Sequence, residues 1–193
     1  RNMEKNDILK IFEQAGAILK GHFLLTSGRH SDTYMQCAKL FVDPKLSKAL
    51  CEELCKKLKE LEIDLVASPA VGGIIMGYQM AQVLGSKNVF FERQEGIMTL
   101  RRGFSIEKGT RVLVVEDVVT TGGSVREVIE QCQKLGADVR AVASIVDRSG
   151  GKVDFGIPFY SLLAMDIISY EAEQCPLCKQ GIPAVKPGSR GLK

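Results

Sequence analysis

Val112-Leu113-Val114-Val115-Glu116-Asp117-Val118-Val119-Thr120-Thr121-Gly122-Gly123-Ser124 is the stretch from which the rest of the chain can be read. Its four leading β-formers predict a strand buried on both faces, as in a parallel sheet covered by helices. Val125, Val128, Ile129, Cys132 and Leu135 follow at helical spacing, with Arg126, Glu127, Glu130 and Lys134 on the other side, so a helix comes next. Gly122 and Gly123 permit a tight turn between the two, and Ser124 is expected to cap the helix. A helix start offers backbone N–H groups, and with the hydroxyls of Thr120, Thr121 and Ser124 these suit a dianionic phosphate. Glu116 and Asp117 would repel a phosphate laid against them. They suit sugar hydroxyls and the positive charge that develops on a ribose. Strand, acid pair and Thr/Gly loop together read as a cradle for a ribose 5-phosphate.

The chain has 193 residues, a length that predicts a single domain with a real core. With 45% hydrophobic residues, 25% charged residues and a net charge of +3, the composition is that of a globular protein. No continuous basic stripe points to nucleic acid, and no apolar run approaches a membrane span, so neither partner is expected and the default compartment is the cytoplasm. The six cysteines read as free thiols. Cys51, Cys55 and Cys132 fall on or beside apolar helical stripes, as small hydrophobes do. Cys175-Pro176-Leu177-Cys178 is a lone C-x-x-C; a zinc site there needs ligands from elsewhere, and a plain C-terminal loop is the simpler reading.

Working outward, Asn6 or Asp7 is placed to cap a first helix carrying Ile8, Leu9, Ile11, Phe12 and Ala15 and ending at Gly16. Gly21 to Gln36 holds two short β-like runs around a polar centre at Gly28, a hairpin or hood. Asp43-Pro44 starts a second helix with Leu46, Leu50, Leu54, Leu58 and Leu61 along one face. Asp64 to Ser68 is a strand leading into Pro69-Ala70-Val71-Gly72-Gly73 and a helix over 74–84, a second Gly loop suited to pyrophosphate. Asn88 to Glu92 is a further strand. Arg93 to Gly103 then carries Arg93, Arg101 and Arg102 on an excursion that is either a flap closing on pyrophosphate or a surface hairpin. Asp138 to Val146 is a strand that puts Arg148 at its carboxyl end, where open α/β sheets bind ligands. Ser161 to Met165 closes the sheet, and the tail from Pro176 reads as irregular.

Val114 to Gly122 resembles the 5-phosphoribosyl 1-pyrophosphate (PRPP) signature of type I phosphoribosyltransferases. Gly21-His22-Phe23-Leu24-Leu25-Thr26-Ser27-Gly28-Arg29-His30-Ser31, Pro69 to Gly73 and Val146-Asp147-Arg148-Ser149-Gly150-Gly151 extend the resemblance to orotate phosphoribosyltransferases over nearly the whole chain. Met98 to Phe104 and the Cys175–Cys178 ending resemble one bacterial and thermophile-type subgroup. The resemblance implies an α/β fold, a mostly parallel twisted sheet flanked by helices. A hood over about 17–40 plus the C-terminal segment, a core over about 43–170 and a flexible flap complete it. It implies transfer of the 5-phosphoribosyl group from PRPP to orotate, giving orotidine 5'-monophosphate and pyrophosphate, with Mg²⁺ held mainly by the substrate and through water by Asp117.

On the same basis Glu116, Asp117 and Arg93 are the implied catalytic residues. PRPP is expected on these three, on Val118, Val119, Thr120, Thr121, Gly122, Gly123 and Ser124, on Ala70, Val71 and Gly72, and on Arg101 and Arg102. Orotate is expected on Thr120, Arg148, Thr26, Ser27, Gly28, Arg29 and Tyr34. A homodimer with shared active sites is implied as well. The chain departs from many family members in having Thr26 and Gly72 in place of lysines, and no lysine or histidine from Gln94 to Arg102. Cationic help for the leaving group is thereby reduced, with Arg101 and Arg102 as the candidate replacements. No nucleophile is required of the protein, so His22 and His30 are read as structural or polar-contact residues. The rival readings are a purine phosphoribosyltransferase, disfavoured by Arg148 and the hood, and a PRPP-sensing regulator on the same fold.

Overall fold

The computed structural model describes residues 1–187. Its centre is a six-stranded sheet in the order β5-β4-β3-β6-β7-β8, built from β3 (Leu65–Pro69), β4 (Lys87–Gln94), β5 (Ile97–Leu100), β6 (Arg111–Val119), β7 (Asp138–Asp147) and β8 (Phe159–Ala164). All pairs are parallel except β4 with β5. The middle strand, β6, is the apolar run of the sequence, and it continues through the acid pair to Val119. Its side chains alternate between two cores, as a doubly covered strand requires. Leu113 and Val115 pack with Met76, Met80, Leu50 and Leu54; Val112 and Val114 pack with Val125, Val128, Ile129 and Cys132.

The helices follow their sequence signals with small shifts at the ends. α1 (Lys5–Gln14) starts after Glu4, whose backbone N–H donates to the Asp7 carboxylate at 3.1 Å; the expected cap at Asn6 or Asp7 is therefore displaced by two or three residues. α2 (Pro44–Cys55) is capped as read, Asp43 accepting from the Lys45 N–H at 2.9 Å. α3 (Gly72–Leu84) begins at Gly72, and Gly73 is required for its approach to the sheet, since a Cβ there would lie 3.0 Å from that of Ser68. α4 (Gly123–Lys134) is not capped by Ser124. Its N-cap is Gly122 at φ 80°, and a Cβ on Gly122 would lie 2.8 Å from the Phe155 ring. Both the left-handed turn and the crowding select glycine, and they pull the helix start back by two residues.

Outside the sheet, β1 (Ile18–Leu24) and β2 (His30–Met35) form the antiparallel hairpin of the hood, with a register shift between Lys20 and Phe23. The C-terminal segment is not a loose tail. His30 pairs with Tyr170 and Phe23 pairs with Val185, and between these lies a short helix α5 (Pro176–Lys179) that corrects the expectation of irregular chain over that stretch. The last part of the expected tail, 188–193, lies outside the described residues.

Candidate active site

The chain steps from β3 outward to β4 on one side, then returns across β3 to β6 and proceeds to β7 on the other. In an open parallel sheet the crevice forms where the winding reverses, outside the carboxyl ends of the strands. That point is between β3 and β6. Three connections meet there: Ala70-Val71 after β3, Thr120 to Gly122 after β6, and Arg148 to Gly151 after β7. The Ala70–Val71 peptide is cis. A cleft of about 740 Å³ near Asp64, Lys87 and Gly109 sits at the opposite, amino ends of β3 and β4 and lacks this convergence.

Gly72 and Asp117 are neighbours across the switch point, since a Cβ on Gly72 would lie 2.9 Å from Asp117 Oδ1. A lysine at this position, the alternative noted from the sequence, could not be seated without moving that carboxylate. Asp117 Oδ1 accepts from the Val118 N–H at 3.0 Å. Burial pushes the Asp117 carboxyl above the usual carboxylate range, against the pull of that hydrogen bond. Glu116 is pushed up to about 7, first by burial and then by the Asp117 charge. The acid pair is thus held short of cation, a poise that favours an incoming positive centre or a hydroxyl donor. Beneath it, Cys37 is held up at about 12 by burial and by Asp117, with Arg148 pulling the other way.

The raised Glu116 gives a sign that can be checked. The folded state binds this proton more tightly than the unfolded chain. Ligand-free stability therefore falls as pH rises from about 4.5 towards 7, by at most about 3 kcal/mol. Urea unfolding across that window should show the decline in the parent protein and a flatter profile in Glu116→Gln; parallel profiles would locate the proton elsewhere.

The α4 start supplies the phosphate-type half of the site. Its first intrahelical bond is Arg126 N–H to Gly122 O at 2.9 Å, so the amides of Gly123, Ser124 and Val125 precede the ladder. Arg93 lies over this turn: its guanidinium makes two bonds to the Glu127 carboxylate, at 2.7 and 2.8 Å, and reaches Ser124 Oγ at 3.5 Å. Arg102 is paired with Glu92 at 2.7 and 2.9 Å and lies over the Phe90 ring. Arg93 to Leu100 is a short edge hairpin, with Glu95 and Gly96 at positive φ forming the turn.

A second cleft, of about 590 Å³, adjoins the loop ends of β6 and β7. It is lined by Thr26, Ser27 and Tyr34 of the hood, by Thr120 and Arg148, and by Lys186 and Pro187 of the C-terminal segment. Arg148 Nε is buried and has no hydrogen-bond partner among the described residues. A guanidinium N–H in that condition lacks an acceptor that a bound anion can supply. Gly28 and Arg29 are placed differently from the other hood residues. Neither lines the cleft, and the Arg29 guanidinium is turned to Ser169, at 2.7 and 2.9 Å, and to the Glu171 carboxylate. The sequence reading groups Arg29 with the base-facing residues; in this structure its partners lie on a segment some 140 positions away. Lys186 and Pro187 were missed, because no local pattern in a Pro/Gly-containing tail reports which wall it covers.

An acid pair and a Gly-capped helix start at the reversal of a parallel sheet, roofed by a hairpin, are the parts of a phosphoribosyltransferase, and residues 41–172 match the family described as phosphoribosyl transferase domain. The chain is 58% identical over 190 residues to the orotate phosphoribosyltransferase of Caldanaerobacter subterraneus subsp. tengcongensis, covering 98% of this chain and 100% of that one. To that of Thermotoga maritima it is 56% identical over 186 residues, covering 96% and 100%. The solved orotate phosphoribosyltransferase of Aeropyrum pernix matches with a TM-score of 0.69 at 26% identity, over 82% of this chain and 93% of that one. An adenine phosphoribosyltransferase from Thermoanaerobacter pseudethanolicus matches at 0.61 and 21% identity, over 69% and 88%, which is a likeness of fold. The chain belongs to the orotate phosphoribosyltransferase family.

Proposed function

We propose that this enzyme transfers the 5-phosphoribosyl group of PRPP to orotate, forming orotidine 5'-monophosphate and pyrophosphate in pyrimidine nucleotide synthesis. The observation that carries the reading is the junction of the acid pair with the Arg148 cleft at the shared loop ends of β6 and β7. The 5-phosphate is assigned to the amides and hydroxyls of Thr120 to Ser124, and the ribose hydroxyls to Glu116 and Asp117. Pyrophosphate is assigned to Ala70, Val71 and Gly72 with Arg93. Arg101 and Arg102 are its reserve of charge, the latter held by Glu92 in this structure. Orotate is assigned to the hood cleft, its carboxylate on Arg148 and its ring edge near Thr120, Thr26, Ser27 and Tyr34.

The anomeric carbon–oxygen bond breaks with its electron pair leaving on pyrophosphate, a ring nitrogen of orotate forms the new bond to carbon, and the nitrogen's proton is released. Positive charge builds on the ribose in between, and two carboxylates beneath it stabilise that charge in a site shielded from water. The hard carboxylate oxygens of Glu116 and Asp117 suit Mg²⁺, which they would hold through water beside the substrate's own oxygens; the metal would supply charge neutralisation for the pyrophosphate. Gly72 keeps the Asp117 carboxylate uncovered, which is what a ribose contact needs.

A homodimer is supported by an exposed apolar stripe, Val71, Ile75 and Tyr78, at and along the first half of α3. Among the described residues no helix is long and apolar enough to cross a membrane. The test is an orotate-consumption assay with PRPP and Mg²⁺, run beside adenine, hypoxanthine and xanthine, with the sample's mass in solution measured by sedimentation. Turnover of orotate alone is expected, at twice the chain mass; turnover of a purine base instead overturns the assignment, and a single-chain mass overturns the dimer.

A further inference from the structure

We propose that His22, His30, Cys175 and Cys178 form a structural zinc site that clips the hood to the C-terminal segment. The four ligand atoms lie within 4.8 Å of one another, although they come from β1, β2 and the start of α5. His22 Nε2 is 2.8 Å from His30 Nδ1, 3.4 Å from Cys175 Sγ and 3.8 Å from Cys178 Sγ, and Cys178 Sγ is 3.4 Å from His30 Nδ1. With Zn–N about 2.0–2.1 Å and Zn–S about 2.3 Å, a tetrahedron has edges of roughly 3.3–3.8 Å. Three of these four separations already fall near such edges, the two imidazole nitrogens need to part by about 0.5 Å, and any separation near the 4.8 Å limit would close by about 1 Å as the ligands gather on the metal.

A metal accounts for the arrangement better than a hydrogen-bond network does. His22 Nδ1 is 2.7 Å from the carbonyl oxygen of Ile182, which can only accept, so in neutral His22 the proton sits on Nδ1 and Nε2 is a lone pair. One lone pair satisfies one donor, yet three groups crowd upon it. A cation at the centre takes a lone pair from each of the four. The Ile182 carbonyl then does what the partner of a metal-bound histidine does, fixing the tautomer and the ring orientation. His22 is 3% exposed, His30 9% and Cys175 0%, and Cys175 and Cys178 are free thiols, so no disulfide competes for the sulfurs. Two soft thiolates with two imidazoles select zinc over harder ions. Binding releases the two thiol protons, and Zn²⁺ with two thiolates is neutral, which removes the cost of a buried charge.

The site has a position from which to act. Val185 N–H donates to His22 O at 2.9 Å, Leu24 N–H donates to Val185 O at 2.9 Å, and the next two residues, Lys186 and Pro187, line the hood cleft. Zinc would hold that wall of the cleft in place. This consequence for substrate binding rests on the transferase reading, whereas the metal content does not.

The full chain, grown with zinc, freed of any histidine tag and purified without chelators, should carry about one zinc per chain by elemental analysis. Exchange with Co²⁺ should give the intense visible and thiolate charge-transfer bands of a tetrahedral site. Cys178→Ser and His30→Gln, checked for folding by circular dichroism, should each lose most of the zinc and lower the Tm. Wild-type protein without zinc, zinc retained undiminished in both variants, or a Cys175–Cys178 disulfide in the peptide map would each overturn the site. With the metal lost, the orotate KM should rise roughly tenfold; an orotate KM that stays unchanged in zinc-free Cys178→Ser would overturn the positioning of the cleft wall, and the zinc count would still decide the site.

Discussion

Asp117→Asn is expected to lower kcat about 10²- to 10³-fold, the usual loss when one preorganised electrostatic contact to the transition state is removed. The thermal midpoint should stay level or rise. Those two outcomes separate because of how the carboxylate is held: burial already disfavours its charge, and the Val118 N–H is its chief compensation. Asparagine keeps an oxygen for that N–H and removes the buried charge, so folding gives up little. Catalysis gives up the charge beneath the developing oxocarbenium ion. The neighbour should respond as well: with the Asp117 charge gone, the like-charge contribution that helps hold Glu116 at about 7 disappears, and its titration should move down. Steady-state kinetics, thermal unfolding and a pH titration of the same variant test all three. Equal losses in kcat and stability would remove Asp117 from the ribose.

How much of this could be seen in the sequence depends on the range of the interaction that fixes each feature. β6 and α4 were legible because both are local periodicities, a doubly buried run followed by a 3.6-residue stripe. The start of α4 was misplaced because Ser124 carries a general capping preference, while Gly122 is selected by a positive φ and by Phe155, thirty-three positions along. Gly72 could be read as a loop glycine, yet its contact with Asp117 exists only once β3 and β6 are adjacent. The resemblance places Arg29 with the base-facing residues, and no local pattern reports its contacts with Ser169 and Glu171. The four-residue cluster was out of reach for the same reason. Two histidines eight apart on antiparallel strands match no short metal motif, and 153 residues separate His22 from Cys175. What local patterns cannot express is the docking of the C-terminal segment on the hood, and that docking determines the cleft wall, the fate of Arg29 and the metal ligands together.

Arg148→Ala should raise the orotate KM about 10- to 10²-fold and leave the PRPP KM within a few-fold of the parent, since loss of a charge-assisted contact to a carboxylate costs roughly 1.5–3 kcal/mol. The backbone of Arg148 is pinned by its N–H to Val119 O at 2.8 Å, a bond that alanine keeps, so the loop after β7 should hold its course. The side chain has a buried Nε without a partner, so truncation leaves no orphaned acceptor in the protein. The penalty should therefore fall on the ligand, whose carboxylate would enter a half-closed cleft with no cation to meet it. Arg148→Lys should recover only part of the affinity, because a single ammonium cannot reproduce the planar fork of a guanidinium. Uracil, which lacks the carboxylate, supplies the decisive comparison: the parent should use it poorly and Arg148→Ala should leave that use nearly unchanged, closing most of the gap between the two bases. A substitution that weakened PRPP more than orotate, or both bases equally, would move Arg148 out of the base pocket and leave the unpaired Nε to be explained by some other anion.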